Sequence, residues 1–289
     1  MVQSFTLIDA ASLGDLKVYL GRAARVDNGA VRLIGGLGVL AAYTPTLTPK
    51  GLLDPTPTVL GLRTFALASP DAFDVVVNIR ALLDRLAQLS VLSNSESGPI
   101  EVPLPPVETG VAWAGISPPR GGWQRVDTLP ARVLERASRA GITEVAAAVP
   151  EGTGEQLVHR VRSEVWGRDL PQAPELDEAR HLDFDLPDLD APTPGSREAA
   201  AAAAASTPSV ITGASSGAGT AVPAVSGVVS GAAPAATDAA PAAPPRIPAG
   251  AAFCAVSLGF LKPDDEVSVF ATGQWLRLTT RRGHVLVRR

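Results

Sequence analysis

The chain has 289 residues, and its hydrophobic share of 46% overstates the core because only 4% of residues are aromatic and alanine and valine carry most of the rest. One cysteine, Cys254, excludes an internal disulfide framework and a cysteine zinc site, and three histidines (His159, His181 and His284) speak against a histidine-rich metal centre. A net charge of −4 gives no general attraction for polyanions, no run reaches the ~18 apolar residues of a membrane span, and the start has no basic segment of a signal peptide, so a soluble cytoplasmic protein is expected.

In chain order, Ser4–Ile8 alternates as a strand. Ser12 is expected to cap a helix whose Leu13, Leu16, Leu20 and Ala23 form one face. A strand holding Val31 and Leu33 ends at Ile34, Gly35-Gly36 fits a two-residue hairpin turn, and Leu37, Val39, Ala41 and Tyr43 alternate on the return strand. Thr44–Pro57 reads as proline-rich loop and Thr58–Ala68 as a strand. Asp74–Ile79 reads as a strand entering a helix, Arg80–Leu89, with Leu82, Leu83, Leu86 and Leu89 inside. Ile100–Leu104 is a short strand, followed by an ordered, irregular connector with Trp113, Pro118-Pro119 and Gly121-Gly122-Trp123. Thr128 and Pro130 open a helix that Gly141 is expected to close, Thr143–Val149 is a second helix, and Thr153-x-x-Gln156 is a capping box for a third, to Trp166, with Leu157, Val161 and Val165 on its inner face. At the far end Ala252–Leu261 reads as a helix, and Glu266–Ala271, Gln274–Thr279 and His284–Arg288 as a three-stranded meander.

Between these periodic regions the texture is different. Residues 168–250 are rich in Ala, Pro, Ser and Gly and nearly lack large apolar side chains. Such a stretch cannot offset ~1–2 kcal/mol of backbone entropy per residue, and a disordered linker is expected. Residues 1–167 carry 15 basic and 16 acidic groups, 168–250 carry 4 and 10, and 251–289 carry 6 and 3. An acidic linker therefore joins a near-neutral body to a basic tail. The expected organisation is an α+β domain over 1–92, a connector and three-helix module over 93–167, the linker over 168–250, and a helix plus β-meander over 251–289. The fold class is α+β: a mixed sheet with flanking helices, a small helical module and a C-terminal meander that packs back on the body through Val267, Val269, Leu276, Leu278, Val285 and Val287.

Several motifs suggest chemistry. Val210–Gly219 is similar to the TGxxxGxG loop of short-chain dehydrogenases, but Pro208 and Pro223 deny it the strand and helix it needs, and the only tyrosines, Tyr19 and Tyr43, lie upstream. Gly36-Leu-Gly38-Val-Leu-Ala41 matches the dinucleotide fingerprint, yet its alternation argues for a return strand rather than the required helix. The helices around Gly141 have helix-turn-helix spacing but no base-reading side chains. His159, between Glu155 and Glu164, reads as part of a solvated helix face, and Cys254 as core. No catalytic residue, metal ligand or cofactor is assigned.

Two opposite charge patterns stand out. Leu182–Asp190 alternates acidic and apolar residues, with Phe184 and Asp185 at its centre. In the tail, Trp275 and Arg277 share one face of a strand, with Arg281, Arg282, Arg288 and Arg289 nearby. An aromatic beside arginines can stack a base and hold a phosphate. Alternatively, Trp275 shields the small sheet while the arginines stay in water; Leu182–Asp190 either clasps this face within the chain or merely keeps the linker soluble.

The element order over 4–89, with Asp74–Leu89 and Glu266–Arg288, is similar to the repeating unit of DNA sliding clamps. The motifs Ala30-Val-Arg-Leu33, Thr58–Thr64, Pro118–Trp123, Glu164–Gly167 and Trp275-Leu-Arg-Leu278 resemble a family of uncharacterised, alanine-rich actinobacterial proteins, a resemblance that implies no activity. The leading functional expectation is a non-catalytic interaction or scaffold protein with a protein partner. The alternatives are a nucleic-acid-associated protein using the basic tail, and a flavin- or nicotinamide-binding enzyme using Gly36–Ala41.

Overall fold

Alternation and helical periodicity sort the chain into the elements of a computed structural model that describes residues 4–51, 53–70, 72–92, 98–150, 152–170 and 245–289. These are β1 (Ser4–Leu7), α1 (Ala10–Val26), β2 (Ala30–Gly36), β3 (Val39–Leu47), β4 (Thr58–Ala66), β5 (Phe73–Asn78), α2 (Ile79–Leu92), β6 (Ile100–Pro103), β7 (Gln124–Pro130), α3 (Ala131–Ala148), α4 (Glu155–Gly167), α5 (Ala249–Ser257), β8 (Glu266–Thr272), β9 (Trp275–Thr279) and β10 (His284–Arg288). The fold is α+β. One eight-stranded sheet runs in the order β5-β2-β3-β4-β10-β9-β8-β7, with every ladder antiparallel, and β1 pairs with β6 in a small second sheet.

The large sheet has an internal two-fold arrangement about the β4–β10 ladder. On one side α1 leads into the meander β2-β3-β4, and β5, paired with β2, runs into α2. On the other side α5 leads into the meander β8-β9-β10, and β7, paired with β8, runs into α3. The helices cover one face of the sheet. Leu16, Leu20, Val31, Leu40, Val59 and Val77 from the first half share a buried core with Leu134, Cys254, Val267, Leu278, Val285 and Val287 from the second. The C-terminal strands thus pack on the body with the apolar face read from their sequence.

Local chemistry moves several boundaries. Asp9 caps α1 by accepting from Ser12 N at 2.7 Å, so Ser12 lies inside the first turn. The β2–β3 hairpin turns at Leu37-Gly38, both at positive φ (52° and 76°), and not at Gly35-Gly36. Gly35 is a packing glycine: a Cβ there would lie 2.2 Å from the Phe73 ring. β3 continues through Pro45 to Leu47 because a bulge between those two residues absorbs the missing proline donor, which shortens the expected loop from Thr44.

The helical module also differs. Gly141 does not close a helix; α3 runs unbroken from Ala131 to Ala148, which removes the helix-turn-helix reading. Gly141 is buried beneath Trp166, whose ring a Cβ would approach to 2.3 Å, and Trp166 in turn stacks on Phe253 of α5 at 4.5 Å. Thr153 makes no capping box, since its hydroxyl donates to Pro150 O at 2.6 Å and Gly154 occupies the cap of α4. Leu157 faces outward at 50% exposure, and Val165 with Trp166 forms the buried face.

The expected linker falls mainly on 171–244. That stretch, with His181, Leu182–Asp190 and Val210–Gly219, lies outside the described residues. The described flanks are ordered: Asp169 bridges to Pro248, Leu170 N donates to Ile247 O and Ala249 N to Arg168 O, each at 2.7 Å, and Ile247 is buried. No helix among the described residues is long and apolar enough to cross a membrane.

Candidate functional site

The face of the sheet away from the helices is crossed by the connector between β6 and β7. It begins on β5, where Val107 bridges to Val77 and Glu108 N donates to Val76 O at 2.8 Å. It is tied to β2 by Arg32, which donates to Ala114 O and Ser117 Oγ and pairs with Asp74 at 2.6 Å. That pairing holds the Asp74 carboxyl below its usual range. Trp113, Ile116 and Trp123 then lie over Tyr43, Leu60, Leu62, Trp275 and Leu286. The irregular connector is therefore a strap, and what makes it irregular is that beyond the Val107–Val77 bridge it packs by side chains across strands rather than by pairing with them.

The sequence-selected residues divide at this strap. Trp275 is only 6% exposed, buried with Leu60 and Leu286, so it is not a free stacking surface. Arg277 lies between two aromatic rings, 4.7 Å from the centroids of both Trp123 and Phe270. Burial depresses its pKa, and its buried Nε has no hydrogen-bond partner among the described residues. Arg288 lies opposite Trp275 and Thr58, on the same face. On the next row His284 Nδ1 lies 3.1 Å from Thr279 Oγ1, its pKa lowered by burial and then by Arg277. Arg281 and Arg282 are exposed on the β9–β10 turn, and Arg282 reaches Gly259 O at 3.4 Å, on the helix side of the sheet. Arg289 pairs with Asp169. Phe184 and Asp185 lie outside the described residues. The structure thus unites Trp275, Arg277 and Arg288 and sets Arg282 apart from them.

The Gly36–Ala41 match has no site geometry. Gly36 ends β2, Gly38 is in the turn and Ala41 is in β3, so no helix N-terminus faces a phosphate.

A second constellation escaped the sequence reading. His159 of α4 is half-buried, with Nε2 3.2 Å from Asp54 Oδ2 and 3.3 Å from Ser163 Oγ. Asp54 and His159 are 105 residues apart, and no local pattern pairs them. Burial would raise the Asp54 pKa, but donors from Lys50 N, Thr56 Oγ1, Thr56 N and His159 hold it well below the usual carboxylate range. The three side chains are not a catalytic relay. In a relay the carboxylate and hydroxyl occupy opposite ring nitrogens, whereas here both meet Nε2. Cys254 is no nucleophile either: it is fully buried, accepts from Thr46 Oγ1 at 3.1 Å, and burial pushes its thiol up to about 12. No group of three or more His, Cys, Asp or Glu able to hold a metal ion occurs among the described residues.

The family described as Domain of unknown function (DUF8185) matches residues 118–180 and 189–289, and the one described as Domain of unknown function (DUF8010) matches residues 1–115. No curated protein matches the chain. Solved structures similar to it include the DNA polymerase III subunit beta from Pseudomonas aeruginosa (12% identity, TM-score 0.42, covering 99% of this chain and 64% of that one). The DNA polymerase sliding clamp from Caulobacter crescentus has 10% identity, TM-score 0.43 and coverage of 99% and 65%. A DnaN sliding clamp from Bartonella birtlesii bound to griselimycin has 12% identity, TM-score 0.43 and coverage of 100% and 65%. The chain spans under two thirds of the length of each of these proteins.

Proposed function

The chain belongs to the family described as Domain of unknown function (DUF8185), and we propose that it is a non-catalytic interaction protein whose strapped sheet face takes an acidic, apolar segment of a protein partner. The observation that carries this reading is the Arg277 sandwich: a cation between Trp123 and Phe270 whose buried Nε lacks a hydrogen-bond partner among the described residues. A partly buried charge without a counter-charge is costly, and a partner's carboxylate would lower that cost. The surroundings suit an interface. Trp113, Trp123 and Tyr43 are half-buried there, and Trp, Tyr and Arg dominate binding energy at protein contacts. Arg125, opposite Phe270, and Arg288, opposite Trp275, add positive charge on either side.

Leu182–Asp190 of this chain has the chemistry of such a partner, and eleven residues separate it from Leu170. That length reaches at most ~40 Å from the Asp169–Arg289 pair at the end of β10. A labelled peptide of that sequence, titrated into the full chain, is expected to bind saturably. Arg277→Gln should weaken it about tenfold, and so should Phe184→Ala with Asp185→Asn in the peptide. A mixed-sequence single-stranded oligonucleotide is the competing probe. If it binds in place of the peptide and is lost in Arg277→Gln, the nucleic-acid reading replaces this one. If neither probe binds, the face is not an interaction site.

A further inference from the structure

The geometry points to a second ligand site, separate from the strapped face: the cavity between the Asp54–Pro57 loop and α4 binds a small organic anion, a carboxylate or phosphate carried on an apolar or ring body. The cavity measures about 690 Å³, within the range of small-molecule sites. What it offers a ligand follows from counting which polar groups are already used.

Asp54 is spent on the protein itself. Its Oδ1 accepts from Thr56 N and Oγ1, and its Oδ2 accepts from Lys50 N at 2.8 Å and meets His159 at 3.2 Å. Glu164 lies 3.7 Å from Arg168, which also donates twice to Glu144, at 2.7 and 2.9 Å. Asp54 is thus satisfied by hydrogen bonds, and Arg168 is shared between Glu164 and Glu144. Left over on the cavity wall are the side chains of Arg160 and Gln156, which have no hydrogen bond or ion pair among the described residues, together with the Ser163 hydroxyl. What remains without a partner is one guanidinium, with an amide and a hydroxyl as further donors. Pro55 and Pro57 supply an apolar wall with no side-chain donors of their own. An anion with a hydrocarbon or ring portion fits this inventory, because a charge-assisted hydrogen bond to Arg160 holds one end and the prolines cover the other.

His159 also gives the site its reporter. His159 lines the cavity with Nε2 held against Asp54, and the chain has only three histidines, so a ligand beside the ring changes a signal that can be told apart. The imidazole nitrogen resonances of the full chain can be followed by NMR during titration with adenosine monophosphate, with benzoate, and with sodium chloride at matched ionic strength. His159→Gln assigns the signal. A saturable shift of His159, with His181 and His284 unmoved, is expected at millimolar concentration with adenosine monophosphate, benzoate or both; the responding probe tells phosphate from carboxylate. Arg160→Gln should weaken that response about tenfold with the melting temperature unchanged. The proposal is overturned by a still His159 signal up to ~20 mM of both probes. It is equally overturned if all three histidines shift together as they do in salt, or if Arg160→Gln leaves the affinity as it was.

Discussion

Asp54 shows what one residue does for the local structure. Its carboxylate closes the loop that carries Pro55 and Pro57 and anchors that loop to α4 through His159. Because its folded pKa lies below the ordinary value, its charge adds stability that is fully present above the unfolded value of about 3.9 and is lost as pH falls through the lower folded one. Asp54→Asn keeps the shape but turns an acceptor into an amide donor, which then faces another donor. The substituted chain should be less stable than the parent at pH 7 in urea unfolding, and the deficit should narrow at about pH 3. An equal deficit at both pH values would mean that shape rather than charge is what counts there. Nothing local in the sequence pairs Asp54 with His159. A helix histidine flanked by glutamates has the pattern of a solvated face, and only tertiary packing gives it a carboxylate.

At the scale of elements, glycines separate what was legible from what was not. Gly14 in α1 and Gly141 in α3 both sit inside helices, and sequence pattern alone gives them the same cost, about 1 kcal/mol against alanine. Their surroundings differ. A Cβ on Gly14 meets nothing within 4 Å, whereas one on Gly141 would lie 2.3 Å from Trp166. Gly14→Ala should therefore raise stability by roughly 0.5–1 kcal/mol. Gly141→Ala should lower it by about 1–3 kcal/mol despite the better helix former, because Trp166 must leave its stack on Phe253. Chemical denaturation of the pair checks both signs, and two changes of the same sign would show that backbone propensity alone decides. The same distinction explains the reading of the whole chain. Strong periodicity in α1, α2, β4, β5 and β8–β10 made those elements and their inner faces readable. Gly141 read as a helix stop, and Gln124–Pro130 did not read as a strand, because a packing glycine and an edge strand with three exposed residues leave no period. The strap's role was hidden for a related reason: Trp123 gains its meaning from Arg277, more than a hundred residues away in sequence.

The whole molecule is joined along one ladder. β4 pairs with β10 from Thr58↔Arg288 to Leu62↔His284, and this is where the two halves of the sheet meet. Above it the helix layer is shared as well. Tyr19 of α1 stacks on Phe260 at 6.0 Å, and Gly61 leaves room for Leu258, whose side chain a Cβ would approach to 2.1 Å. The family matches divide the chain near residue 116, but the core does not divide there. Cutting at that point would leave β4 as a bare edge strand and open the packing around Tyr19 on one side and around Leu258 on the other. Each half would keep its local periodicity and lose the burial that stabilises it. The intact protein is therefore expected to unfold in one cooperative transition, with calorimetric and van't Hoff enthalpies in agreement. Fragments 1–116 and 117–289 should each lack a sharp transition when produced alone, and should recover it when mixed. Two separate transitions in the intact chain, or a fragment that melts cooperatively by itself, would show that the β4–β10 ladder joins finished domains rather than completing one core.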